Sequence, residues 1–325
     1  MKKYLLVSIS LLLIVAAILC PPQTIKPEIV AGAGTGHNNE ITNAEEFLTL
    51  LDFFEGASDL SADLNNSGVE SMAELIKKGK HKSGTYTISA SSRVSRSLKT
   101  VSGYDEYRNE YTYTTYGRSF SSYNEDCTVY VNGDDCYYVS RGSSTVEYNA
   151  TYDEEENEDY IINRTWDIEV YLSGRSLYIK VNAFVCKEDG EDMFDLSEVI
   201  GKWVKISSGA ASAMISWIDY NTGTTSLHSI SRILDYDLCE EIGKKKTYTH
   251  TFTTLEKNDS KFVIDFSNTE APSVSIVAKG SEDGDNVNTK QFFTFYNIDN
   301  TVIEADIKDA EKLDMEDIER IFGGK

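Results

Sequence analysis

The chain has 325 residues, enough for one large domain or two ordinary ones, and 40% of them are hydrophobic. Its 53 acidic and 31 basic residues give a formal net charge of −22, which repels nucleic-acid phosphate and excludes nucleic acid as a partner. The 20 tyrosines favour strands over a helical bundle.

Residues 1–20 have the layout of an export signal, because two lysines precede an apolar run from Leu5 to Leu19. That run is shorter than the roughly 20 residues that cross a bilayer comfortably. Three fates stay open: cleavage after Ala17, attachment of a lipid to Cys20 as in a lipoprotein, or retention as an anchor. Each predicts an exported protein of the cell envelope or extracellular space, and the last two predict membrane association through the N-terminus.

Residues 21–42 contain three of the four prolines, and we expect a flexible linker ahead of a single domain over residues 43–325. A helix is predicted to begin at Thr42 or Asn43 and to run through the segment FLTLLDFF. A second helix is predicted to begin at Ser67, which has the spacing of a capping box.

Residues 63–74, DLNNSGVESMAE, also match the ligand spacing of an EF-hand calcium loop. Three observations oppose a calcium site: Glu70 occupies a normally apolar position, a second loop is missing, and Ser67 with Glu70 fits the helix cap instead. The four histidines lack metal-ligand spacing, and no motif of a hydrolase nucleophile or a phosphate loop occurs. The sequence therefore predicts a non-enzymatic protein without a metal or cofactor.

After the second helix, apolar and polar residues alternate with a period of two, which predicts a long run of strands. These strands span 85–95, 105–116, 126–131, 135–141, 144–151, 160–172 and 176–186. In the last two of these strands, apolar and polar residues alternate regularly, which predicts a sheet with one buried and one solvent-exposed face. Their apolar faces hold Trp166, Ile168, Val170 and Leu172 on one strand, and Leu177, Ile179, Val181, Ala183 and Val185 on the next.

The centre of the sequence is predicted to be helical, from LSEVIGKWVKI at 196–206 through SSGAASAMISWIDY to a helix with Leu234 on its apolar stripe. A short helix, DMEDIERIF, is predicted to end the chain. Between them, strands return at 247–255, 261–267, 272–279, 289–297 and 301–305. This order predicts the α+β class, with a long antiparallel sheet and helices on one face.

Aromatic residues occupy both parities of the strand at 289–297, namely Phe292, Phe293, Phe295 and Tyr296. Because successive side chains alternate between faces, we expect Phe293 and Phe295 to point inward and the other two rings to lie on the outer rim. In a second interpretation, both sets pack beneath helices.

Four cysteines follow the N-terminal segment, an even number that permits two disulfides in an exported protein. The Asn-Gly dipeptide between Cys127 and Cys136 predicts a two-residue turn that makes them diagonal neighbours, so a bridge is expected. Cys186 and Cys239 form the remaining pair. Four free buried thiols are the alternative.

The order of elements, together with the segments GKWVKI and FTFYNIDNTVIEAD, resembles the LolA/LppX-like group of exported lipid-carrier proteins over residues 43–306. The resemblance implies a sheet curled into an incomplete β-barrel, with helices packed over its open, concave face. It also implies an apolar cavity between sheet and helices that accepts acyl chains.

The resulting hypothesis is an exported, non-enzymatic protein that binds a lipid or another apolar ligand in a cavity between the curved sheet and the helices. The residues expected to line that cavity are Trp166, Ile168, Val170, Ile179, Val181, Leu234, Phe293 and Phe295. The alternative is a cell-envelope surface protein that binds a protein or glycan partner through a tyrosine-rich face. Its expected contacts are Tyr111, Tyr113, Tyr116, Tyr137 and Tyr138. A hydrolase with dispersed carboxylates, a third hypothesis, has no positional support in the sequence.

Overall fold

The computed structural model describes ten stretches of the chain. They are residues 27–58, 81–98, 101–104, 110–113, 115–152, 156–174, 176–222, 247–253, 259–282 and 285–323. Several predictions concern residues outside the described part of the chain. These are the export signal with Cys20, the helix cap or calcium loop at 63–74, Leu234, Cys239, and the side chains of Tyr111, Tyr113 and Tyr116.

The described residues form sixteen strands and three helices, so the chain is mainly β. The helices are α1 (Ala44–Ser58), α2 (Ala211–Thr222) and α3 (Met315–Phe322). The strands are β1 (Glu28–Ala33), β2 (Ser83–Leu98), β3 (Val101–Tyr104), β4 (Glu110–Tyr113), β5 (Thr115–Asn132), β6 (Asp135–Tyr152), β7 (Glu156–Ser173), β8 (Ser176–Glu188), β9 (Glu191–Asp192), β10 (Trp203–Ile206), β11 (Thr247–Thr253), β12 (Asp259–Asp265), β13 (Ser273–Glu282), β14 (Asp285–Tyr296), β15 (Thr301–Asp306) and β16 (Glu311–Leu313).

One large, open sheet organises the described residues. It has 12 strands in the order β11-β12-β13-β14-β2-β5-β6-β7-β8-β10-β16, with β9 paired to β8. Every pairing in it is antiparallel except that of β10 with β16. The antiparallel sheet is as predicted, but the α+β description is only partly correct, because helices are a minor part of the described chain.

All three helices cover the same face of this sheet. On β7, the alternating residues Trp166, Ile168, Val170 and Leu172 are all buried, as predicted. Leu172 belongs to a buried cluster beneath α1, which we call the α1 core, and the other three to a cluster beneath α2 and α3, the α2 core. Because these residues alternate on one strand, both cores lie on one face of the sheet.

A two-stranded ribbon covers part of the opposite face. β1 pairs antiparallel with β15, and Ile29 and Ile303 pack against Tyr137, Tyr171 and Trp203 of the large sheet. The predicted flexible linker at 21–42 is therefore wrong for residues 28–33. Residues 28–33 form a strand that pairs with β15, and its Ile29 and Ala31 share the face that packs on the large sheet.

The aromatic rings of β14 lie alternately on the two faces of the sheet, as predicted. Phe293 and Phe295 are fully buried, whereas Phe292 is 49% exposed and Tyr296 is half-buried. The Phe295 ring lies 5.7 Å from that of Phe47 on α1. The inward rings therefore pack against the first helix.

Two strands are longer than the sequence indicated. Residues 126–131 are the end of the 18-residue strand β5, and 135–141 with 144–151 form the single 18-residue strand β6. The predicted break falls at residues 142 and 143, where the strand in fact continues, and a Cβ on Gly142 would lie 2.2 Å from Cζ2 of Trp166. Glycine stands at this position because the indole ring packs directly on the backbone.

The segment LSEVIGKWVKI does not form the predicted helix. Its last four residues form β10, which pairs with β8. Val204 and Ile206 enter the α2 core, while Trp203 packs against the ribbon on the other face. Apolar residues occur at both parities because this short strand is covered on both faces.

A β-bulge in the β7–β8 ladder reverses the side-chain parity of β8. The register shifts between Asp167 and Ile168, so that Asp167 pairs with Ala183 and Ile168 with Val181. Ala183 and Val185 consequently face solvent, and the prediction that they share the apolar face of Leu177 is wrong. An extra residue on one strand turns every later side chain to the other face.

The expected disulfide between Cys127 and Cys136 is not formed, and Cys186 is also a free thiol. The β5–β6 hairpin pairs Cys136 with Val131 and Cys127 with Ser140, whereas a turn at Asn132-Gly133 would place Cys127 opposite Tyr138, two residues away. The two cysteines are therefore four positions apart along the ladder, about 13 Å. A disulfide needs Cα atoms within about 7 Å.

Asp299 ties the ribbon to the large sheet. Its carboxylate accepts hydrogen bonds from Asn39 Nδ2 (2.6 Å), His81 Nδ1 (3.0 Å) and the backbone N–H of Lys82 (2.6 Å). Burial by itself would raise the pKa of Asp299. The hydrogen bonds outweigh burial and lower the pKa to about 2.

We expect Gly142→Ala to destabilise the protein by about 1–3 kcal/mol, because the new methyl group would meet Trp166 and a backbone oxygen. Gly32→Ala, where a Cβ meets nothing within 4 Å, is the control and should change little. The measurement is the free energy of unfolding in urea. Equal effects of the two substitutions would contradict the packing of Trp166 on Gly142.

Because the folded pKa of Asp299 lies below its unfolded value, its contribution to stability is complete above about pH 4 and disappears as the pH falls towards 2. Asp299→Asn should therefore cost about 2 kcal/mol at neutral pH and flatten the acid loss of stability in that window. Exposed Asp309→Asn should keep the wild-type profile. Urea titrations at a series of pH values measure both, and parallel profiles for Asp299→Asn and wild type would refute the assignment.

Candidate functional site

The structure divides the predicted ligand-lining residues between the two cores. Trp166, Ile168, Val170, Ile179 and Val181 lie in the α2 core, and Phe293 and Phe295 lie in the α1 core. All seven are buried, and Leu234 lies outside the described residues. The residues therefore do not line one common site.

The α1 core is filled by the protein's own rings. The Phe54 ring lies 5.0 Å from that of Tyr86 and 5.4 Å from that of Phe295. The Phe47 ring completes this group, and all four rings are at most 3% exposed. Such close ring packing indicates a structural role, so we place the candidate site in the α2 core.

Four rings meet at one end of the α2 core, and we call this group the aromatic site: Phe184, Phe194, Trp217 and Phe322. The Trp217 ring lies 4.9 Å from those of Phe184 and Phe322 and 5.9 Å from that of Phe194. Phe322 is buried, but the other three rings are only partly so. The aromatic site is thus an apolar surface that solvent partly reaches.

Three buried polar atoms around the aromatic site have no hydrogen-bond partner among the described residues: Arg164 Nε, Trp217 Nε1 and Asn221 Oδ1. The Asn221 amide donates through Nδ2 to the carbonyl oxygen of Trp217 (2.9 Å). An unpaired buried polar group costs on the order of 1–3 kcal/mol, and native proteins contain few of them. We therefore take these two donors and one acceptor, beside the partly buried rings, as the candidate functional site.

Local structure brings these atoms together. On β7, Arg164 shares the face of Trp166, and its guanidinium lies 5.2 Å from the ring centroid of Tyr220. On α2, Trp217, Tyr220 and Asn221 are three and four residues apart, so they lie on one side of the helix. The site therefore lies where the second half of α2 packs on the paired segments 164–166 of β7 and 184–186 of β8.

The bulge in β8 supplies two further members of this region. It turns Phe184 and Cys186 to the helix face, opposite Trp166 and Arg164. Burial raises the pKa of the Cys186 thiol, an effect that neighbouring Arg164 partly offsets. Sequence reasoning missed Phe184, although a large ring between Ala183 and Val185 is a signal that the alternation breaks there.

A buried carboxylate lies between the two cores. Glu125 is 2% exposed and accepts hydrogen bonds from the hydroxyls of Tyr123 (2.6 Å), Tyr138 (3.0 Å) and Ser140 (2.7 Å). Trp166 Nε1 in turn donates to Ser140 Oγ (2.8 Å). This network fixes the orientation of Trp166, and it was not predicted because its members come from three strands.

The thiol beside this network is protonated. Burial raises the pKa of Cys127 well above its usual value, and the charge of Glu125 adds to the effect. Burial likewise raises the pKa of Tyr138. Since a thiolate is the nucleophilic form of cysteine, these neighbours make Cys127 an unreactive member of the α1 core.

The predicted tyrosine contacts Tyr137 and Tyr138 face opposite sides of β6, and neither is open to a partner. Tyr137 is 6% exposed beneath the ribbon and donates to Glu169, and Tyr138 donates to Glu125 on the helix side. The tyrosine-rich face is therefore wrong for these two residues, because consecutive strand residues cannot share a face.

Within the described stretches, no group of three or more histidine, cysteine, aspartate or glutamate side chains is arranged to hold a metal ion. In the same stretches, none of the helices combines the length and apolar character needed to cross a bilayer.

Comparisons with known proteins assign no family. No family model matches the chain, and no curated protein matches it. Among solved structures, it is similar to Ail, the attachment invasion locus protein of Yersinia pestis, with 6% identity and a TM-score of 0.14. The match covers 66% of this chain and 98% of that chain, and so low a TM-score carries no argument.

The resemblance to the LolA/LppX-like group is wrong. No family model of that group matches the chain, and the segment GKWVKI ends in a strand where the start of the helices was expected. Both segments that suggested the resemblance have clear places in the sheet and the ribbon. GKWVKI ends in β10, a strand covered on both faces. FTFYNIDNTVIEAD contains the end of β14, the connection, and β15, which pairs with β1 in the ribbon.

We expect Ser140→Ala to destabilise the protein by about 1–3 kcal/mol, because it leaves Trp166 Nε1 buried without an acceptor and removes one donor to Glu125. Ser144→Ala, at a half-buried position on the same strand and face, should change stability by less than about 0.5 kcal/mol. Urea unfolding of both variants provides the measurement. A Ser140 variant as stable as the Ser144 variant would show that the network does not hold the indole.

Proposed function

We propose that the chain is an exported, non-enzymatic binding protein that holds a lipid or another apolar ligand against the aromatic site, between the sheet and α2. The observation that carries this proposal is the coincidence of partly exposed rings with three polar atoms that no described residue pairs. A ligand with an apolar body and a polar end would cover the rings and pair the polar atoms at once.

Apolar contact would supply most of the affinity. Burying apolar surface contributes on the order of 25 cal/mol per Å2, so a ligand chain packed on Phe184, Phe194 and Trp217 gains several kilocalories per mole. The polar atoms would then fix the ligand's orientation. Curvature of the sheet, as in the predicted incomplete barrel, would let β7 and β8 surround the same ligand together with α2.

Export to the cell envelope or extracellular space is part of the proposal. It is supported by the apolar run within residues 1–20 and by the net charge of −22, which keeps an exported chain soluble. A carrier or a sensor of apolar molecules in that compartment is consistent with both features.

The test is a titration of the purified, delipidated chain with the neutral apolar dye N-phenyl-1-naphthylamine, whose fluorescence rises on apolar contact. Ala213→Trp, one helical turn from Trp217 in the α2 core, should fill the aromatic site and weaken dye binding about tenfold or more. Ser216→Trp adds the same side chain at an exposed position of α2 and is the matched control.

The wild type and the Ser216 variant should bind the dye equally well, with thermal unfolding confirming that all three chains are folded. Native mass spectrometry of the chain purified without delipidation should show a bound apolar molecule. A chain that emerges empty and leaves the dye unchanged refutes the proposal, and equal binding by both tryptophan variants refutes the location of the site.

A further inference from the structure

We infer that the ligand is an apolar molecule with a carboxylate head group, and that Arg164 is the residue that binds this head group. The inference rests on the proposed function and adds the chemical class of the ligand. It starts from the state of the Arg164 guanidinium, which lies at the polar edge of the aromatic site.

Arg164 carries a positive charge that no described carboxylate pairs. Its Nε is buried without a hydrogen-bond partner, and no ion pair to Arg164 is found in the part of the chain that the structure describes. Glu188 lies on the same face but stands opposite Ile162, two residues away from Arg164 along β7. A guanidinium in such a position is stabilised by an anion, and a carboxylate matches its planar fork with two hydrogen bonds.

The surroundings keep this guanidinium in place. Its central carbon lies 5.2 Å from the ring centroid of Tyr220, a cation–π contact, and its Nε has no hydrogen-bond partner among the described residues. On the other side, Arg164 contacts the protonated thiol of Cys186. The guanidinium thus contacts Tyr220 of α2 and Cys186 of β8, and Trp217 of the same helix carries a second unpaired donor, Nε1.

Trp217 Nε1 and Asn221 Oδ1 refine the class of ligand. The indole N–H and the N–H of Arg164 Nε have no partner in the described part of the chain, and each can donate to an oxygen of a ligand carboxylate. Asn221 is 3% exposed, and its free oxygen is an acceptor that requires a donor on the ligand. A hydroxyl or amide N–H next to the carboxylate provides that donor, as in a 3-hydroxy fatty acid or an N-acyl amino acid.

The net negative charge of the protein means that a carboxylate ligand has to be recognised by groups within the site itself. A chain with a net charge of −22 does not attract anions from a distance. A small anion without an apolar body therefore gains too little to bind. Selectivity for a carboxylate at this site has to come from Arg164 itself, which makes it testable with one substitution.

The experiment is displacement of N-phenyl-1-naphthylamine from the delipidated chain at neutral pH by four compounds: dodecanoic acid, 3-hydroxydodecanoic acid, dodecanol and acetate. On the wild type, dodecanoic acid should displace the dye at a concentration about tenfold lower than dodecanol. The hydroxy acid should act at a lower concentration still, and acetate should have no effect.

Arg164→Gln should abolish the preference for the acid over the alcohol while dodecanol still displaces the dye. Arg164→Lys, which keeps the charge and loses the fork, should show an intermediate preference. Arg93→Gln is the matched control, because exposed Arg93 stacks on Phe120 on the opposite face of the sheet. Thermal unfolding verifies that each variant is folded.

The outcomes separate the two proposals. If the dye does not bind, or none of the three dodecyl compounds displaces it, the proposed function fails. If acid and alcohol displace it equally from the wild type, the ligand class is wrong and the binding function stands. If the preference persists in Arg164→Gln, or if Arg93→Gln loses it to the same extent, the assignment of Arg164 is overturned.

Discussion

The change of side-chain parity at the bulge of β8 determines what the α2 side of the molecule presents to its surroundings. Before the bulge, Ile179 and Val181 face the helices, and after it Phe184 and Cys186 do. Without the extra residue, small Ala183 and Val185 would lie beneath α2. The aromatic site and the neighbourhood of Arg164 both depend on this one local irregularity.

The same sheet face carries two cores of different character. The α1 core is packed ring against ring and leaves its groups dry, whereas the aromatic site at the end of the α2 core retains polar atoms that no described residue pairs. The hydrogen-bonded network of Glu125 lies at their boundary and orients Trp166, whose ring rests on Gly142. The Glu125 network thus connects the closely packed α1 core to the region that holds the unpaired atoms of Arg164, Trp217 and Asn221.

Regular alternation is what the sequence reveals well. It predicted the buried face of β7, the opposite exposures of Phe292 and Phe293, and the return of strands towards the end of the chain. Three predictions failed where the alternation of apolar and polar residues is interrupted: the bulge of β8, the strand β10 that is covered on both faces, and the turn between β5 and β6. Each of these features depends on neighbours that are distant in sequence. For the same reason Arg164 could not be recognised, since its significance comes from residues on α2 that no sequence spacing connects to β7.

The pairing of β1 with β15 joins a strand near the start of the chain to one near its end. Because the partner strand follows roughly 270 residues later in the chain, the N-terminal strand stays without its neighbour until that strand has been synthesised. Completion of the ribbon is consequently a late event in folding. Once it is complete, the start of β1 is fastened to the sheet face that lies opposite the helices.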